Sequence, residues 1–557
     1  MRRLIECVPN FSEGRDSRII RQITDSIEAV EGVRLLNVDP GQATNRTVVT
    51  FVGEPEAVVE AAFRAIRTAG ELIDMSRHEG EHPRMGATDV CPLVPIAGIT
   101  KEETAKYARE LGERVGGELG IPVYLYEAAQ PDESRRNLSV IRAGEYEGFF
   151  DKIQRPEWKP DFGPSTFDPK RGATAIGARD FLIAYNVNLN TTSTRRANAV
   201  AFDVREAGRK KLGDDWQPVL DENGDFIIVP GSLKAVKGIG WFIEEYGIAQ
   251  VSMNLTNIRV TPLHIAFDEV CRSAESRGLR VTGSELVGLV PLQCLLDAGR
   301  YFLKKQKRST GVSERELVKI AVRSLGLDEL APFEPEERVI EYLLKEPATS
   351  RLVSMSLTEF ADEAGSESPA PGGGSVAAYV GALGAALGTM VANLSSHKRG
   401  WDDRWDEFSA QAEEGQRHKA ELLRLVDEDT RAFGEVMNAF GMPKATDEEK
   451  AERTRAIQEA TKYATEVPFR VMETALASMD VSRSMAETGL ESSVSDAGVG
   501  ALCARTAVMG AYLNVKINAG QLEDEGFARD IVARGAEIEK QAQENEAEIL
   551  AIVEGRL

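Results

Sequence analysis

One order of strand and helix patterns occurs twice in the first half of the chain, and this repeat most constrains the fold. In its first copy, apolar runs predict strands at residues 4–8, 33–38, 47–52, about 90 and 123–126. Predicted helices begin near Asp16, at Pro55, and at the Thr100 to Glu103 capping box. This β-α-β-β-α-β order with one further α-β pair predicts a mixed sheet with helices on one face. Pro92 and Pro95 favour an edge position for the strand that contains them.

The same order returns after residue 180. The strands predicted there lie at 181–189, 236–242, 249–255 and 286–290. One helix carries Ala197 and Val204 on its inward face, and a second has Thr261 as N-cap and Pro262 at its first position. Two such halves in tandem predict a cleft between them, which is the usual place for a small-molecule site.

Proline-rich connectors and a loss of strand patterns mark the remaining organisation. Residues 158–179 are rich in glycine and proline and are interpreted as a linker or a binding loop. Beyond residue 354 almost no strand pattern occurs, which favours a helical bundle. The predicted fold is therefore α/β (α+β), with two β-α-β-β-α-β-like subdomains at 1–178 and 179–325, a linker at 326–354, and an all-α helical-bundle domain at 355–557.

Composition limits the partners and the compartment. The formal charge of −22 disfavours nucleic acid, because long-range attraction to phosphate needs a positive field. The five cysteines are widely spaced and form no C-x-x-C pair, so we expect reduced thiols in the cytoplasm. The apolar run after Met1 is too short for an export signal.

Residues 375–394 form a charge-free run that contains Gly384-x-x-x-Gly388. Its length suits a membrane span, but its alanine and glycine side chains are too small to favour lipid strongly. We predict a buried central helix, with a subunit interface as a possible role, and no membrane span. Gly372, Gly373 and Gly374 precede it and, with Ser375, place backbone N–H groups at a helix N-terminus. They form no P-loop, and Ser375 as a simple N-cap is the alternative.

A carboxylate interrupts the apolar stripe of the next long helix, predicted from about 403 to 440. Leu422, Val426, Phe433 and Val436 follow helical spacing, and Asp429 occupies the position missing between them. A carboxylate on an inward face is costly unless it is hydrogen-bonded or used, and burial raises its pKa. Asp429 is therefore a candidate functional acid. Further on, Asn514 and Asn518 share a helix face, where their amides have a helix contact as the simple role.

Two histidines four residues apart begin the sequence HEGEHPRMGATDV and spell H-E-x-x-H. On a helix this spacing would bind zinc. Gly80 weakens a helix here and Pro83 disfavours the helical conformation of His82. We therefore interpret the stretch as a loop that presents His82, flanked by Arg84 and Asp89, for proton transfer on a small molecule.

Long motifs in both halves resemble the bifunctional formiminotransferase-cyclodeaminase family over essentially the whole chain. The motifs are ECVPNFSEGRD (6–16), HPRMGATDVCP (82–92), PDFGPSTF (160–167), GARDFLIAYNVNL (177–189), GIGW (238–241), GSELVGLVPL (283–292), PAPGGGSVAA (369–378) and LVDEDTRAF (425–433). The resemblance implies transfer of the formimino group from N-formimino-glutamate to N5 of tetrahydrofolate. It then implies cyclisation to 5,10-methenyl-tetrahydrofolate with release of ammonia, within histidine degradation and one-carbon metabolism.

The resemblance also implies site residues. It places the transferase's catalytic histidine on His82 and the cyclodeaminase's acid on Asp429. It assigns folate binding to Gly163, Pro164, Ser165, Thr166, Phe167, Asp168, Pro169, Lys170, Arg171 and Gly172, a loop more basic here than is usual in the family. Possible supporting residues are Asp39, which would orient His82 unless Asp-Pro-Gly is only a turn, Arg84, and the segment from Gly372 to Ser375.

One imidazole can deprotonate N5 and then protonate the departing glutamate nitrogen, and a partly protonated acid can assist ammonia release. Tetrahydrofolate, expected with a polyglutamate tail, is the co-substrate, and no metal is expected. Candidate cations for the tail are Arg77, Arg84, Lys170, Arg171, Arg179, Lys234 and Lys237. The resemblance further implies a homo-oligomer, with the helical domain as the expected contact.

Three alternatives remain open on the sequence: formyl transfer from N-formylglutamate with a cyclohydrolase-like helical domain, a helical domain that serves only assembly, and a zinc hydrolase.

Overall fold

The structure is a computed structural model that describes residues 3–42, 44–80, 83–214, 217–344 and 352–557. It divides into two compact units. The first contains the chain up to Cys294 together with Leu325–Leu344, and the second contains Leu295–Ser324 together with the chain beyond residue 344. The first unit is an α/β structure and the second is helical, as the patterns predict.

The first subdomain is built on one mixed sheet. Its strands are β1 (Leu4–Cys7), β2 (Asn10–Phe11), β3 (Val33–Gly41), β4 (Arg46–Gly53), β5 (Thr88–Ala97), β6 (Val123–Glu127) and β7 (Thr174–Ala178). Its helices are α1 (Ser17–Glu28), α2 (Pro55–Leu72), α3 (Lys101–Glu118), α4 (Leu138–Arg142) and α5 (Glu145–Lys152). The sheet order is β1-β4-β2-β5-β7-β6, with β3 on β4 and β1 also on β5. Ile5, Phe51 and Leu93 belong to the core that the sheet forms with the first helices, and the Thr100 capping box of α3 is confirmed.

Two predictions for this sheet are wrong. Strand β5 lies inside the sheet, between β1 and β2 on one side and β7 on the other. Proline removes a donor but keeps its acceptor, and the carbonyl of Pro92 accepts from the Val8 N–H at 3.1 Å. The predicted linker at 158–179 contains β7, which pairs in parallel with β5 and β6. Glycines and alanines hide this strand in the sequence, although its residues are fully packed.

The second subdomain has a four-stranded antiparallel sheet, with β8 (Ile183–Leu189), β11 (Val236–Ile243), β12 (Ile248–Leu255) and β13 (Val281–Val287) in the order β11-β12-β8-β13. Helices α6 (Thr194–Val204) and α7 (Leu263–Ser276) and a short ribbon, β9 (Arg209–Lys210) with β10 (Ile228–Val229), complete it. The predicted order is confirmed. The last strand comes earlier than predicted and ends before Gly288, which has φ +77°. The N-cap of α7 is Pro262, whereas the Thr261 hydroxyl donates to the Lys234 carbonyl at 2.6 Å.

Four helices follow: α8 (Leu292–Lys305), α9 (Glu314–Leu325), α10 (Pro335–Arg338) and α11 (Ile340–Leu344). The segment between α8 and α9 packs within the helical unit. The Thr310 N–H donates to Ser409 Oγ at 2.9 Å, and Asn393 Nδ2 donates to the Gly311 carbonyl at 2.9 Å. A Cβ on Gly311 would lie 2.3 Å from the Ala412 carbonyl carbon, so only glycine allows this approach. These contacts account for the placement of Leu295–Ser324 in the second unit.

The helical unit contains α12 (Leu357–Ala364), α13 (Gly373–Ser396), α14 (Trp405–Phe440), α15 (Asp447–Thr488), α16 (Val494–Ala519) and α17 (Glu525–Glu554). Among the described residues, α13 is the one helix long and apolar enough to cross a membrane, and most of it is buried. It packs against α14, α15 and α16. A Cβ on Gly384 would lie 2.7 Å from the Gly500 carbonyl of α16, which confirms the predicted close helix contact.

Candidate active sites

A cavity of about 340 Å³ opens beside the N-terminus of α13 in the helical unit. This volume is within the range of small-molecule sites. Helix α14 supplies one wall, and α15 and α16 supply the other. The lining residues are Pro369, Ala370, Gly372, Gly373, Gly374, Asp429, Thr430, Phe433, Val436, Met437, Phe440, Thr461, Ala464, Asn514, Asn518 and Gln521.

Asp429 is the carboxylate of this cavity. Burial raises its pKa, while hydrogen bonds from the Ser375 side chain and backbone N–H oppose that rise. The Ser375 hydroxyl donates to Asp429 Oδ2 at 2.8 Å. The acid predicted from the interrupted stripe is therefore held at the wall of a cavity, with its pKa moved toward the range where it can donate a proton.

The glycines before Ser375 let the carboxylate reach the helix end. A Cβ on Gly374 would lie 2.2 Å from Asp429 Oδ1 and 2.7 Å from its Cγ. A Cβ on Gly373 would lie 3.4 Å from Asn514 Nδ2, an ordinary contact distance. The N-cap of α13 is Gly372, so Ser375 stands in the first turn and is not the N-cap. Its hydroxyl donates to Asp429 and does not cap the helix.

The stripe of α14 is core only in its first part. Leu422 and Val426 are fully buried, but Phe433 is 43% exposed and, with Val436 and Phe440, lines the cavity. Helical spacing does not distinguish a buried stripe from the apolar wall of a ligand cavity, because both need side chains on one face. Phe433 does lie on the predicted face of α14, but at this position that face borders a cavity and not the packed core.

Two amides face the cavity from α16. Asn518 Nδ2 donates to the Ala464 carbonyl of α15 at 2.7 Å, and Asn514 Nδ2 donates to the Gly510 carbonyl at 3.0 Å. The simple helix-contact role is thus confirmed for Asn518. Each side chain also lines the cavity.

The neighbour of Asp429 has the opposite electrostatic surroundings, which the sequence did not indicate. Glu428 is 6% exposed and forms ion pairs with Arg424 and Arg470, while Tyr463 Oη donates to Glu428 Oε1 at 2.7 Å. Burial acts to raise the pKa of Glu428, but the Tyr463 and arginine partners outweigh it and hold that pKa below its usual value. Adjacent positions on one helix therefore hold one carboxyl group with a lowered pKa and one with a raised pKa.

In the transferase half, His82 lies outside the described residues. On its N-terminal side, His78 is not helical, and its Nε2 lies 2.8 Å from the Asn45 carbonyl. Arg84 Nε donates to His78 Nδ1 at 3.3 Å, and both Nη atoms of Arg84 reach Glu147 of α5, at 3.0 and 2.7 Å. Arg84 is thus held in an ion pair, and His78 uses both ring nitrogens.

The loop at 163–172 packs against the helices of the first subdomain. Phe167 stacks among aromatic rings of α5, with its centroid 4.5 Å from that of Phe150. Gly163 has φ +84°, and a Cβ there would lie 2.5 Å from the Ile121 carbonyl oxygen. Arg171 donates to Asp168 Oδ2 at 2.6 Å and to the Leu119 carbonyl, also at 2.6 Å.

The other basic candidates are also engaged. Lys170 Nζ lies 3.3 Å from the Glu71 carbonyl at the end of α2, and Lys237 Nζ donates to Asn137 Oδ1 at 3.0 Å. Arg179 donates to the Asp180 carbonyl at 3.0 Å. Arg77 and Lys234 are exposed, with Asp74 and Glu206 as their ion-pair partners.

Asp39 does not belong to a turn. It pairs with Val48 as β3 continues to Gly41, because the chain reverses only after residue 41. Burial raises the pKa of Tyr246, and the nearby charges of Glu285 and Asp39 act in the same direction, so Asp39 faces the second subdomain. There Asn186 Nδ2 donates to Glu285 Oε2 at 3.1 Å, in a polar network that the sequence did not indicate.

Another unpredicted feature is the buried carboxylate of Asp89. Arg46 Nη1 and Arg142 Nη2 donate to its Oδ2 at 2.5 and 2.7 Å, and the Met85 N–H donates to Oδ1 at 3.1 Å. Asp89 thereby fixes the backbone three residues after His82. Within the ranges that the structure describes, no group of three or more His, Cys, Asp or Glu side chains is placed to hold a metal ion.

Comparison with known proteins identifies the family. The chain matches the formiminotransferase domain, N-terminal subdomain, at 4–179, the formiminotransferase domain at 184–345, and the formiminotransferase-cyclodeaminase model at 356–537. A formimidoyltransferase-cyclodeaminase of Gallus gallus is 46% identical over 557 residues, which is 100% of both chains. The chain belongs to the formiminotransferase-cyclodeaminase family.

Two further relatives match parts of the chain. A glutamate formimidoyltransferase of Thermoplasma acidophilum is 43% identical over 321 residues, covering 57% of this chain and 98% of the relative. A methenyltetrahydrofolate cyclohydrolase of Methylorubrum extorquens is 39% identical over 175 residues, covering 31% and 84%. The formiminotransferase-cyclodeaminase assignment agrees with the family resemblance of the motifs.

Proposed function

We propose that the chain transfers the formimino group from N-formimino-L-glutamate to N5 of tetrahydrofolate and then cyclises the product to 5,10-methenyl-tetrahydrofolate with release of ammonia. The observation that carries the second step is Asp429, an acid with a raised pKa at the wall of a ligand-sized cavity. Full-length similarity to formimidoyltransferase-cyclodeaminases supports the pairing of the two steps.

In the transfer step, N5 of tetrahydrofolate attacks the formimino carbon and loses its proton as the tetrahedral intermediate forms. The glutamate nitrogen must gain a proton before its bond to that carbon breaks. We assign both transfers to the imidazole of His82, because a group that titrates near neutrality serves as base and then as acid. The loop at 163–172 is the proposed folate contact, and Asp39 and Arg84 are proposed support.

In the cyclisation step, N10 attacks the same carbon, and the nitrogen that leaves as ammonia must be protonated. Asp429 is the proposed donor. Burial raises its pKa, which favours the protonated form, and the Ser375 hydroxyl, 2.8 Å away, fixes its orientation. The apolar wall around Phe433 is the proposed surface for the folate rings.

The test follows glutamate release and the methenyl chromophore separately. His82→Ala should stop both signals when formimino-glutamate is the donor. Asp429→Asn should stop formation of the methenyl chromophore but not glutamate release, because the asparagine amide cannot protonate the nitrogen that leaves as ammonia. Glutamate release without tetrahydrofolate, or unchanged cyclisation by Asp429→Asn, would contradict the proposal.

The cyclohydrolase named among the relatives supports a second candidate for the helical domain, the hydrolysis of methenyl-tetrahydrofolate. Asp429 would then assist the addition of water to the bridging carbon. Two substrates separate the reactions: with 5-formimino-tetrahydrofolate, cyclodeamination releases ammonia as the methenyl chromophore appears, and with 5,10-methenyl-tetrahydrofolate, hydrolysis removes the chromophore without ammonia.

We also propose a homo-oligomer formed through α13 and α16. Both helices carry exposed large apolar side chains: Val376, Leu383, Met390 and Leu394 on α13, and Val499, Leu502, Leu513 and Ile517 on α16. The glycine contact between the helices places these stripes next to each other, and contiguous apolar surface of this kind is typical of interfaces. Leu513→Glu with Ile517→Glu should lower the mass measured by light scattering, whereas Leu357→Glu on α12 should not. An unchanged mass would contradict this surface.

A further inference from the structure

We propose that Arg453 of α15 binds the glutamate carboxylate of the folate substrate at the outer end of the cyclodeaminase cavity. This inference rests on the proposed function. It assigns a substrate-binding residue at the C-terminal end of α14, where Phe440 lies three helical turns beyond the acid.

The cavity extends along α14 from Asp429 to Phe440. Asp429 stands at its inner end, and the wall of α14 continues through Phe433, Val436 and Met437 to Phe440 at the helix C-terminus. Eleven residues separate Asp429 from Phe440, which is about 16 Å along the helix axis. A folate whose N5 and N10 lie at the acid must therefore extend its aminobenzoyl-glutamate portion along this wall toward Phe440.

Arg453 stands at that outer end, on the face of α15 that forms the cavity. Ala464 lines the cavity, and Arg453 lies eleven residues before it, about three whole helical turns, so the two side chains share a face of α15. Its Nε and Nη2 atoms lie 3.3 and 3.1 Å from the carbonyl oxygen of Phe440. The guanidinium carbon is 5.6 Å from the centroid of the Phe440 ring. Arg453 is thus fixed at the last residue of the apolar wall.

The charge of Arg453 is not balanced locally, unlike that of its neighbours. Lys450 pairs with Asp447 at 2.8 Å, and Arg455 pairs with Glu452 at 2.6 Å. Across the described ranges, no carboxylate lies within 4.0 Å of Arg453. In a chain of net charge −22, an anionic substrate needs such a local cation. A guanidinium offers five donors in a planar fork, so the groups not engaged with Phe440 remain for a carboxylate.

The alternative role for Arg453 is purely structural. A cation that donates to the last carbonyl of α14 stabilises the helix C-terminus whether or not substrate is present. The two roles differ in one measurable respect. A capping role affects all substrates equally, whereas a binding role depends on the presence of the substrate's glutamate carboxylates.

The test compares 5-formimino-tetrahydrofolate with 5-formimino-tetrahydropteroate, which lacks the glutamate, in wild type and Arg453→Gln. Both are assayed in the full chain by methenyl formation. Glutamine keeps an amide donor within reach of the Phe440 carbonyl. We expect Arg453→Gln to raise KM for the folate about tenfold, the effect of losing one charge-assisted hydrogen-bonded pair, with kcat unchanged. KM for the pteroate should stay at its wild-type value, and Arg453→Lys should recover part of the loss.

Arg455→Gln is the matched control, since Arg455 is two residues away and already paired with Glu452. It should leave both KM values unchanged, and transferase activity should be unchanged in every variant. Equal changes in KM for folate and pteroate, or no change for either, would overturn the assignment of Arg453. A wild type that converts neither substrate would instead overturn the proposed function, and this inference with it.

Discussion

The contact between Gly374 and Asp429 gives the sharpest prediction from this structure. In Gly374→Ala, the new Cβ would lie 2.2 Å from Asp429 Oδ1 and 2.7 Å from Cγ and Oδ2. These distances are too short for any packing arrangement, so the carboxylate must rotate away and lose its hydrogen bond from Ser375. The effect falls on the end of one side chain, which can move without unfolding the helix.

The expected effect of Gly374→Ala on the cyclisation barrier is larger than its expected effect on folding stability. Loss of a hydrogen bond to a carboxylate costs about 1.5–3 kcal/mol, while alanine in place of a helical glycine returns about 1 kcal/mol. We therefore expect a net stability loss of about 1 kcal/mol. Loss of a positioned acid lowers the rate by roughly 10² to 10⁴, equivalent to about 3–5 kcal/mol in the activation barrier.

The assay is methenyl formation from 5-formimino-tetrahydrofolate, with glutamate release by the transferase half as an internal reference. Gly434→Ala on α14 is the control, because its Cβ would meet nothing within 4 Å. Cyclisation by Gly374→Ala at more than a third of the wild-type rate would refute the argument that this glycine makes room for the acid.

Three further predictions concern charge. Ser375→Ala removes a donor that lowers the pKa of Asp429, so that pKa should rise further. Cyclisation is lost at high pH where the acid loses its proton, so this alkaline limb of the kcat profile should move to higher pH. An unmoved limb would mean that the profile reports another group. Glu428→Ala leaves two partly exposed arginines without their shared carboxylate and should cost about 2 kcal/mol in urea unfolding, with the alkaline limb unchanged. Burial raises the pKa of Glu6 from its ordinary 4.5 to about 7, so its stabilising effect is complete below pH 4.5 and is lost as the pH rises through about 7. Unfolding of Glu6→Gln should therefore lack a pH dependence of about 3 kcal/mol that the wild type shows between pH 5 and 8; identical pH dependences would contradict the shift.

Local signals predicted the elements well. The capping box at Thr100, the repeated order of strands and helices, and the glycine spacing of α13 each depend on neighbours within a few residues, and each is confirmed. The interrupted stripe of α14 placed Asp429 on the correct face, because helical spacing fixes direction.

What failed depends on residues far apart in sequence. The interior position of β5 follows from its pairing with β7, more than 80 residues later, and proline content alone argued for an edge. Whether the stripe beyond Val426 meets core or a cavity is decided by α16, about 80 residues away. The ion pair of Glu428 with Arg470 likewise comes from another helix, and the spacing of Glu428 from Arg424 on its own helix does not show that the carboxylate is buried.

The pair formed by Glu428 and Asp429 also fixes the rotational setting of α14. Adjacent residues project about 100° apart around a helix, and here each is anchored to a different group. A one-residue insertion between Leu422 and Glu428 would turn the following helix by that angle, bringing Glu428 to the place that Asp429 holds and moving Asp429 on to the place of Thr430. The expected product is a folded protein in which Asp429 no longer accepts the Ser375 hydrogen bond and cyclisation is lost, so inactivity after such an insertion would report the helix phase and not a loss of structure.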